Sequence, residues 1–391
     1  MSEPAPEVNG NKKRYFAIWI GASIFFLVCA LGWAGYWFIW GQFKEETEDA
    51  YVNGNMIMIK SFEPGFVVSI FADNAQMVEK GQPLLEINRH DFEIALQRAE
   101  ADLAESVRDV VQMFLKVEEL KAKIEVAKAE LMRAGLDYEH RVNLVSDGSV
   151  SREDFEHSET TLAAAVAGLA MVQKEWSEAV AQIQNTTPFT HPRVELAKAE
   201  VRRAFLALHR TQVIAPASGI ISQRRAQVGQ WVNPEDPLMA LIPLNQIWVD
   251  ANFREVDLKH IRVGQPVELT ADMYGSSIRF YGRVAGLNAG TGAVFSVLPP
   301  QNATGNWIKI IQRVPVKIAL NPAELKAHPL VLGLSMTTRV DTHDRSGLKL
   351  PEALSPRAIY ATDVYADELQ GVEEMIQEIL LANASNTIYQ N

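Results

Sequence analysis

The chain has 391 residues, 48% of them hydrophobic and 22% charged, with a net charge of −11 and a pI near 5.3. That length allows two or three domains, and an acidic chain lacks the concentrated basic face that phosphate binding needs, which excludes a nucleic-acid partner. The single cysteine, Cys29, excludes an intramolecular disulfide and any multi-cysteine metal site.

Residues 1–14 read as a short tail, followed by a stretch from 15 to 43 with no Asp, Glu, Lys, Arg or His. A bilayer core needs about 20 apolar residues of helix, so this stretch spans it with room for tilt. It is too long for the apolar core of a secretory signal, and no small-residue cleavage site follows. Val28 stands before Cys29, where a lipid-modified cysteine would need a small residue. Lys12, Lys13 and Arg14 precede the span, and Lys44, Glu45, Glu46, Glu48 and Asp49 follow it. The positive-inside rule places the tail in the cytoplasm and everything after residue 43 outside. Trp19 and Trp33 lie in the span, and Tyr36, Trp37 and Trp40 suit its outer interfacial belt. Ala30 and Ala34 form a small-xxx-small pair, a candidate transporter contact in the membrane, although that spacing is common by chance. The lipid bilayer is thus the first expected partner.

Residues 44–60 contain Asp49-Ala50-Tyr51-Val52-Asn53-Gly54 and run to Met58 and beyond; they read as a leading strand of a β-barrel. Residues 61–89 hold Pro64-Gly65-Phe66-Val67-Val68-Ser69-Ile70 and Val78-Glu79-Lys80-Gly81-Gln82-Pro83-Leu84, short strands joined by Gly turns.

From residue 96 the apolar positions fall every seven: Leu96, Leu103, Val110, Val117, Ile124, Leu131, Tyr138 and Val145. A second set lies three residues later: Ala99, Ser106, Met113, Leu120, Ala127 and Ala134. An a/d seam sustained this far predicts a coiled coil. It stops at Ser146-Asp147-Gly148-Ser149 and restarts where Ser151 is placed to cap a new helix. The returning seam reads Phe155, Leu162, Leu169, Trp176 and Ile183, with Ser158, Ala165, Val172 and Ala179 three residues on. It breaks at Thr187-Pro188-Phe189-Thr190-His191-Pro192 and resumes as Val194, Val201 and Leu208, a four-residue insertion relative to the heptad. Residues 90–212 therefore read as an antiparallel α-hairpin with its tip near 146–150.

Residues 213–243 repeat the earlier β pattern: Pro216-Ala217-Ser218-Gly219-Ile220-Ile221-Ser222, then Val228-Gly229-Gln230-Trp231-Val232 and Pro237-Leu238. The two β halves are expected to pair at the hairpin base into one sandwich. Residues 244–345 are strand-rich and Gly-punctuated, which predicts a small β-barrel. Residues 346–391 form a tail in which 363–381 could be an amphipathic helix of unreadable role. The expected class is α+β multidomain: an N-terminal transmembrane helix, a split β-sandwich, a long coiled-coil α-hairpin and a β-barrel.

Signals for chemistry are weak. No two of the eight histidines stand four apart, so no helical metal pair exists. His140 and His157 flank the tip without an evident third ligand. The Gly-rich stretch 286–292 lacks the lysine of a phosphate loop. The sequon at Asn302 matters only in a glycosylating compartment. No catalytic, cofactor or metal residue is expected.

The two β halves resemble the split lipoyl-type module of membrane fusion proteins. Carriers built on that module hold a lysine at a hairpin turn, but the turns here, 72–77 and 223–226, have none. The strings Glu48-Asp49-Ala50-Tyr51-Val52, Trp248 through Glu255, Gly290-Thr291-Gly292, Leu298 through Ile308 and Gln312 through Val316 resemble the EmrA-type branch of the HlyD family. This resemblance covers roughly residues 12 to 345. It implies a periplasmic adaptor between a proton-driven inner-membrane transporter of the major facilitator class and a TolC-like outer-membrane channel, exporting hydrophobic toxic compounds. Self-association is expected as well, because a lone amphipathic hairpin exposes its seam flanks and an oligomer, with the β modules packed laterally, covers them. Other adaptor branches carry an Arg–Leu–Ser pattern at the tip where the channel is met. Arg141, Leu144 and Ser151 are its nearest equivalents, with Val145, Asp147 and Gly148 beside them, but their spacing departs from that pattern. The alternative is that Arg141 and Leu144 belong to the last heptad turn and Ser151 is only a cap. Rival functions are an adaptor for peptide or protein secretion beside an ATP-driven transporter, an acyl carrier on the lipoyl-like module, and a structural envelope coiled coil.

Overall fold

The computed structural model describes residues 12–39, 41–294, 311–350 and 358–384. Residues 1–11, Trp40, the 301–307 string and the sequon at Asn302 lie outside the described residues.

Helix α1 spans Lys12–Ile39, and its apolar side chains are exposed along its length. Among the described residues no helix or strand beyond the adjoining turn packs against it, which leaves its apolar surface free for lipid. A short 3-10 turn, Gly41–Phe43, leads into β1, Lys44–Gly54.

Strand β1 enters a closed six-stranded barrel in the order β1-β10-β13-β12-β11-β14. Its partners are β10 (Ile247–Arg254), β11 (Pro266–Ala271), β12 (Arg279–Leu287), β13 (Arg313–Leu320) and β14 (Ser335–Asp341). Alternate residues point inward, so Val249, Ala251, Phe253, Leu269, Phe280, Ile318 and Val340 fill the interior. Closure removes the free strand edges that would otherwise invite pairing with other chains.

The expected leading strand over 44–60 divides in two. Residues to Gly54 stay in the barrel, while β2, Ile57–Lys60, pairs with β9, Pro237–Ile242, in the next module. Asn55 sits at the crossing, where its Nδ2 donates to Gln246 Oε1 at 2.8 Å. The chain's two crossings between barrel and sandwich are thus joined to each other.

The sandwich consists of two four-stranded sheets, β2-β9-β7-β4 and β6-β5-β3-β8. Here β3 is Gly65–Ile70, β4 Met77–Val78 and β5 Pro83–Ile87 on one side of the hairpin. On the other side are β6 (Gln212–Ile214), β7 (Gly219–Ser222) and β8 (Trp231–Val232). Each sheet mixes strands from both halves, so neither half closes a core alone. Leu84, Leu85, Ile87, Ile221, Leu238 and Leu241 lie between the sheets. The repeated glycines have one cause: a Cβ on Gly65 would meet Ile87 Cγ2 at 2.4 Å, and one on Gly219 would meet Ile242 O at 2.4 Å.

Between the halves, α2 runs unbroken over His90–Val145. Its 56 residues, at ~1.5 Å each, reach roughly 84 Å. The return arm is α3, Arg152–Ile183, then α4, Pro192–His209. Leu96, Ala99, Leu103, Val110, Val117, Leu120 and Ala134 are buried on α2, all at the expected a and d positions. On α3 only Ser158 is buried, and its Oγ donates to Phe155 O at 2.7 Å. The large seam residues Phe155, Leu162, Leu169, Trp176 and Ile183 are half-buried, as a seam of two helices dictates. At the proline break, His191 caps α4: its Nδ1 accepts from Arg193 N, and its Nε2 donates to Gln182 O. Lys198 is buried there, donating to Phe189 O at 2.7 Å and pairing with Glu195 at 2.8 Å.

A short helix α5, Pro322–Ala327, covers one end of the barrel near Leu325. The tail ends in α6, Val372–Asn383, which begins nine residues later than the expected 363 because Gly371 takes a left-handed backbone (φ 88°) and 363–371 forms turns instead. Val372, Ile376 and Leu380 of α6 are fully buried against α2 and α4.

Candidate partner-contact surfaces

The hairpin apex gathers the six tip residues singled out from sequence. The turn closes with Ser149 N donating to Leu144 O and Gly148 N to Val145 O, both at 3.2 Å. Gly148 takes φ 77°, which glycine reaches without steric cost. Ser151 Oγ accepts from Asp154 N at 3.1 Å, the expected cap, and donates to Asp154 Oδ2 at 2.6 Å. Arg141 reaches across the two arms: its Nη1 donates to Asp154 O at 3.1 Å, and its Nη2 pairs with Asp137 at 3.4 Å. Just below, Tyr138 and Phe155 stack across the seam with ring centroids 5.5 Å apart. Arg141 and Ser151 are therefore engaged within the hairpin. Leu144 (43% exposed), Val145 (36%), Asp147 and Gly148 are left on the surface. With Val142, also exposed, Leu144 and Val145 put an apolar patch at the end of the rod.

The second surface is α1. Ala30 and Ala34 are both exposed on one face, one helical turn apart. Below it, Phe43 stacks on His343 at 4.4 Å, and the Arg345 guanidinium lies 5.3 Å from the Phe43 ring. Thr342 N donates to Phe43 O at 2.8 Å. Phe43, at the end of the turn that follows the anchor, is thus held against the barrel's last strand and the residues after it. At the same end, burial pushes the Glu45 carboxyl above its ordinary range, opposed by its hydrogen bond with His260 at 3.5 Å.

The two sandwich turns, 72–77 and 223–226, lie side by side. Arg224 Nε pairs with Asp73 at 2.8 Å, and Arg224 N donates to Asn74 Oδ1 at 2.8 Å. The Arg224 hydrogen bond holds the Asp73 carboxyl below its usual range. Ala75 and Gln223 both adopt positive φ here, 64° and 50°. An ion pair thus ties the two turns to each other. Among the described residues, no group of three His, Cys, Asp or Glu side chains is arranged to hold a metal ion.

Sequence reasoning missed the docking of α6. Val107, Val111 and Phe114 form a stripe at i, i+4 and i+7 beside the a/d seam, and they join its core. That stripe was the available signal, because a lone two-helix seam has no use for it.

A family model described as the EmrA alpha-helical hairpin domain matches residues 90–211. The multidrug export protein EmrA of Escherichia coli (strain K12) is 40% identical over 349 residues, 89% of this chain and 90% of that one. The fatty acid resistance protein FarA of Neisseria gonorrhoeae is 40% identical over 336 residues, 86% of this chain and 84% of that one. A solved structure of the periplasmic adaptor protein EmrA covers 77% of this chain and 99% of its own at 20% identity and a TM-score of 0.40. With this identity across nearly the whole of both sequences, the chain belongs to the EmrA family of membrane fusion proteins.

Proposed function

We propose that the protein is the periplasmic adaptor of a multidrug export system. It joins an inner-membrane, proton-driven transporter of the major facilitator class to a TolC-like outer-membrane channel. Helix α1 anchors the chain with residues 1–14 in the cytoplasm, and α1 docks beside the transporter through the Ala30–Ala34 face. The barrel and sandwich of several protomers pack side by side, and the hairpins project together toward the outer membrane. Leu144 and Val145, with Asp147 and Gly148, meet the channel. Arg141 and Ser151 hold the apex in shape for that contact.

One observation carries this reading: a helical rod of roughly 84 Å stands on β modules tethered to an apolar helix. The task is mechanical, since a rod of that length bridges compartments rather than encloses a substrate. The exported compounds are hydrophobic or amphiphilic, in line with the multidrug and fatty-acid resistance named for the two relatives.

The test is a chromosomal deletion complemented by the full chain or by a chain with 90–211 replaced by a short turn. The deletion strain should become susceptible to hydrophobic toxic compounds, and only the full chain should restore resistance. Unchanged susceptibility in the deletion strain, or rescue by the hairpin-less chain, would overturn the proposal.

A further inference from the structure

The hairpin joins the sandwich through two chain crossings, at residues 88–90 and 209–212. A long lever on a two-stranded joint bends easily unless something braces it. The C-terminal run 362–384 lies across this joint. At its start, Lys80 of the first sandwich half pairs with Asp363, and Thr362 Oγ1 donates to Pro216 O of the second half at 2.7 Å. At the joint, Tyr365 packs edge-on against Phe62 at 5.6 Å, and the Arg210 guanidinium sits 4.8 Å from the same ring. Arg210 also forks onto Glu368, at 2.8 and 3.3 Å, and only 10% of the Glu368 side chain is exposed.

Beyond the joint, α6 lies along the hairpin root. Glu373 receives both arms of the Arg202 guanidinium at 2.6 and 3.1 Å. Asn383 accepts from Arg108 at 3.2 Å. Val372, Ile376 and Leu380 complete a core with Val107 and Val111 of α2 and Val194 and Val201 of α4. One short run therefore grips both sandwich halves, the joint and both hairpin arms. Its helix has 12 residues, too few to persist undocked in water.

We propose that residues 362–384 are a strap that fixes the direction in which the hairpin leaves the sandwich. When α6 is docked, the rod points one way. When α6 undocks, as short peripheral helices do ahead of global unfolding, the rod swings about 88–90 and 209–212 while sandwich and seam stay folded. The strap's action does not depend on which partner the tip meets.

The experiment uses the full chain with Cys29 replaced by Ser, and spin labels on cysteines at the exposed positions Ala122 on α2 and Glu235 on the sandwich. Distances between them are read by double electron–electron resonance. The parent chain should give one narrow distribution. R202E, which sets a carboxylate against Glu373, should lose that single narrow peak, and R202E/E373R should regain it. Truncation after residue 361 should broaden the distribution further while far-UV dichroism keeps the helical signal of the hairpin. A narrow, unshifted distribution in both R202E and the truncated chain would overturn the proposal. If truncation abolishes folding, the charge-swap pair decides alone, and an unchanged peak in R202E rejects the strap.

Discussion

Shortening the hairpin by one heptad layer tests whether its length matters. Tyr138 faces Phe155, and stepping by heptads from that contact pairs Leu131 with Leu162, Ile124 with Leu169, and Val117 with Trp176. Removing residues 117–123 together with 170–176 deletes the Val117–Trp176 layer and leaves every other layer in register. The rod shortens by about 10 Å, at ~1.5 Å per residue. The loss in stability is modest. Val117 and Leu120 are buried, each worth about 1.5–3 kcal/mol, and the shorter chain has fewer residues to order. Trp176 also takes with it a buried Nε1–H that has no hydrogen-bond partner, which removes a penalty of about 1–3 kcal/mol. The purified variant should therefore keep its helical far-UV signal and lose only a few degrees in Tm, while resistance to hydrophobic compounds falls to the level of the deletion strain. Full resistance in a variant shown to be expressed and folded would refute the idea that the rod spans a fixed gap.

Leu103 is fully buried where seam and α6 meet, so Leu103→Ala should cost about 2–5 kcal/mol, read as a lowered midpoint in urea unfolding. Ser151→Ala removes the cap of α3 and should cost about 1 kcal/mol, visible as faster amide exchange over 152–156 with the root unaffected. The Arg202 hydrogen bond holds the Glu373 carboxyl below its usual range. The folded carboxyl binds its proton less tightly than the unfolded one, so the pair's contribution is complete above the ordinary glutamate range. It fades as pH falls below the ordinary glutamate range and through the lowered folded value. Amide exchange in α6 should accordingly accelerate in acid, and Glu373→Gln should flatten that profile; equal acid sensitivity in both chains would argue against the pair.

The strict spacing of Leu96, Leu103, Val110 and Val117 made the coiled coil legible, because no other packing needs one apolar residue every seven over such a length. The split sandwich was legible through its duplicated glycines at 65 and 219, each facing a neighbour too close for a Cβ. The break before Ile57–Lys60 went unread although the sequence carries it: the inward-facing residues change parity from Ala50 and Val52 to Ile57 and Ile59 across Asn53-Gly54-Asn55. The tail was harder still. Its helix face is short, and its partner stripe at Val107, Val111 and Phe114 is hidden beside a stronger seam. At the apex, residue types alone could not separate a binding arginine from a structural one. The structure adds the bond from Arg141 to Asp154 O, a contact across the arms that sequence spacing does not reveal.

The most direct measurement is in-cell photo-crosslinking from position 144, at the exposed end of the rod. The account predicts that a crosslinking residue replacing Leu144 captures an outer-membrane channel in intact cells, while the same residue at the buried Leu103 captures none. Adducts confined to this chain or to inner-membrane proteins would contradict the claim that the hairpin reaches across the periplasm.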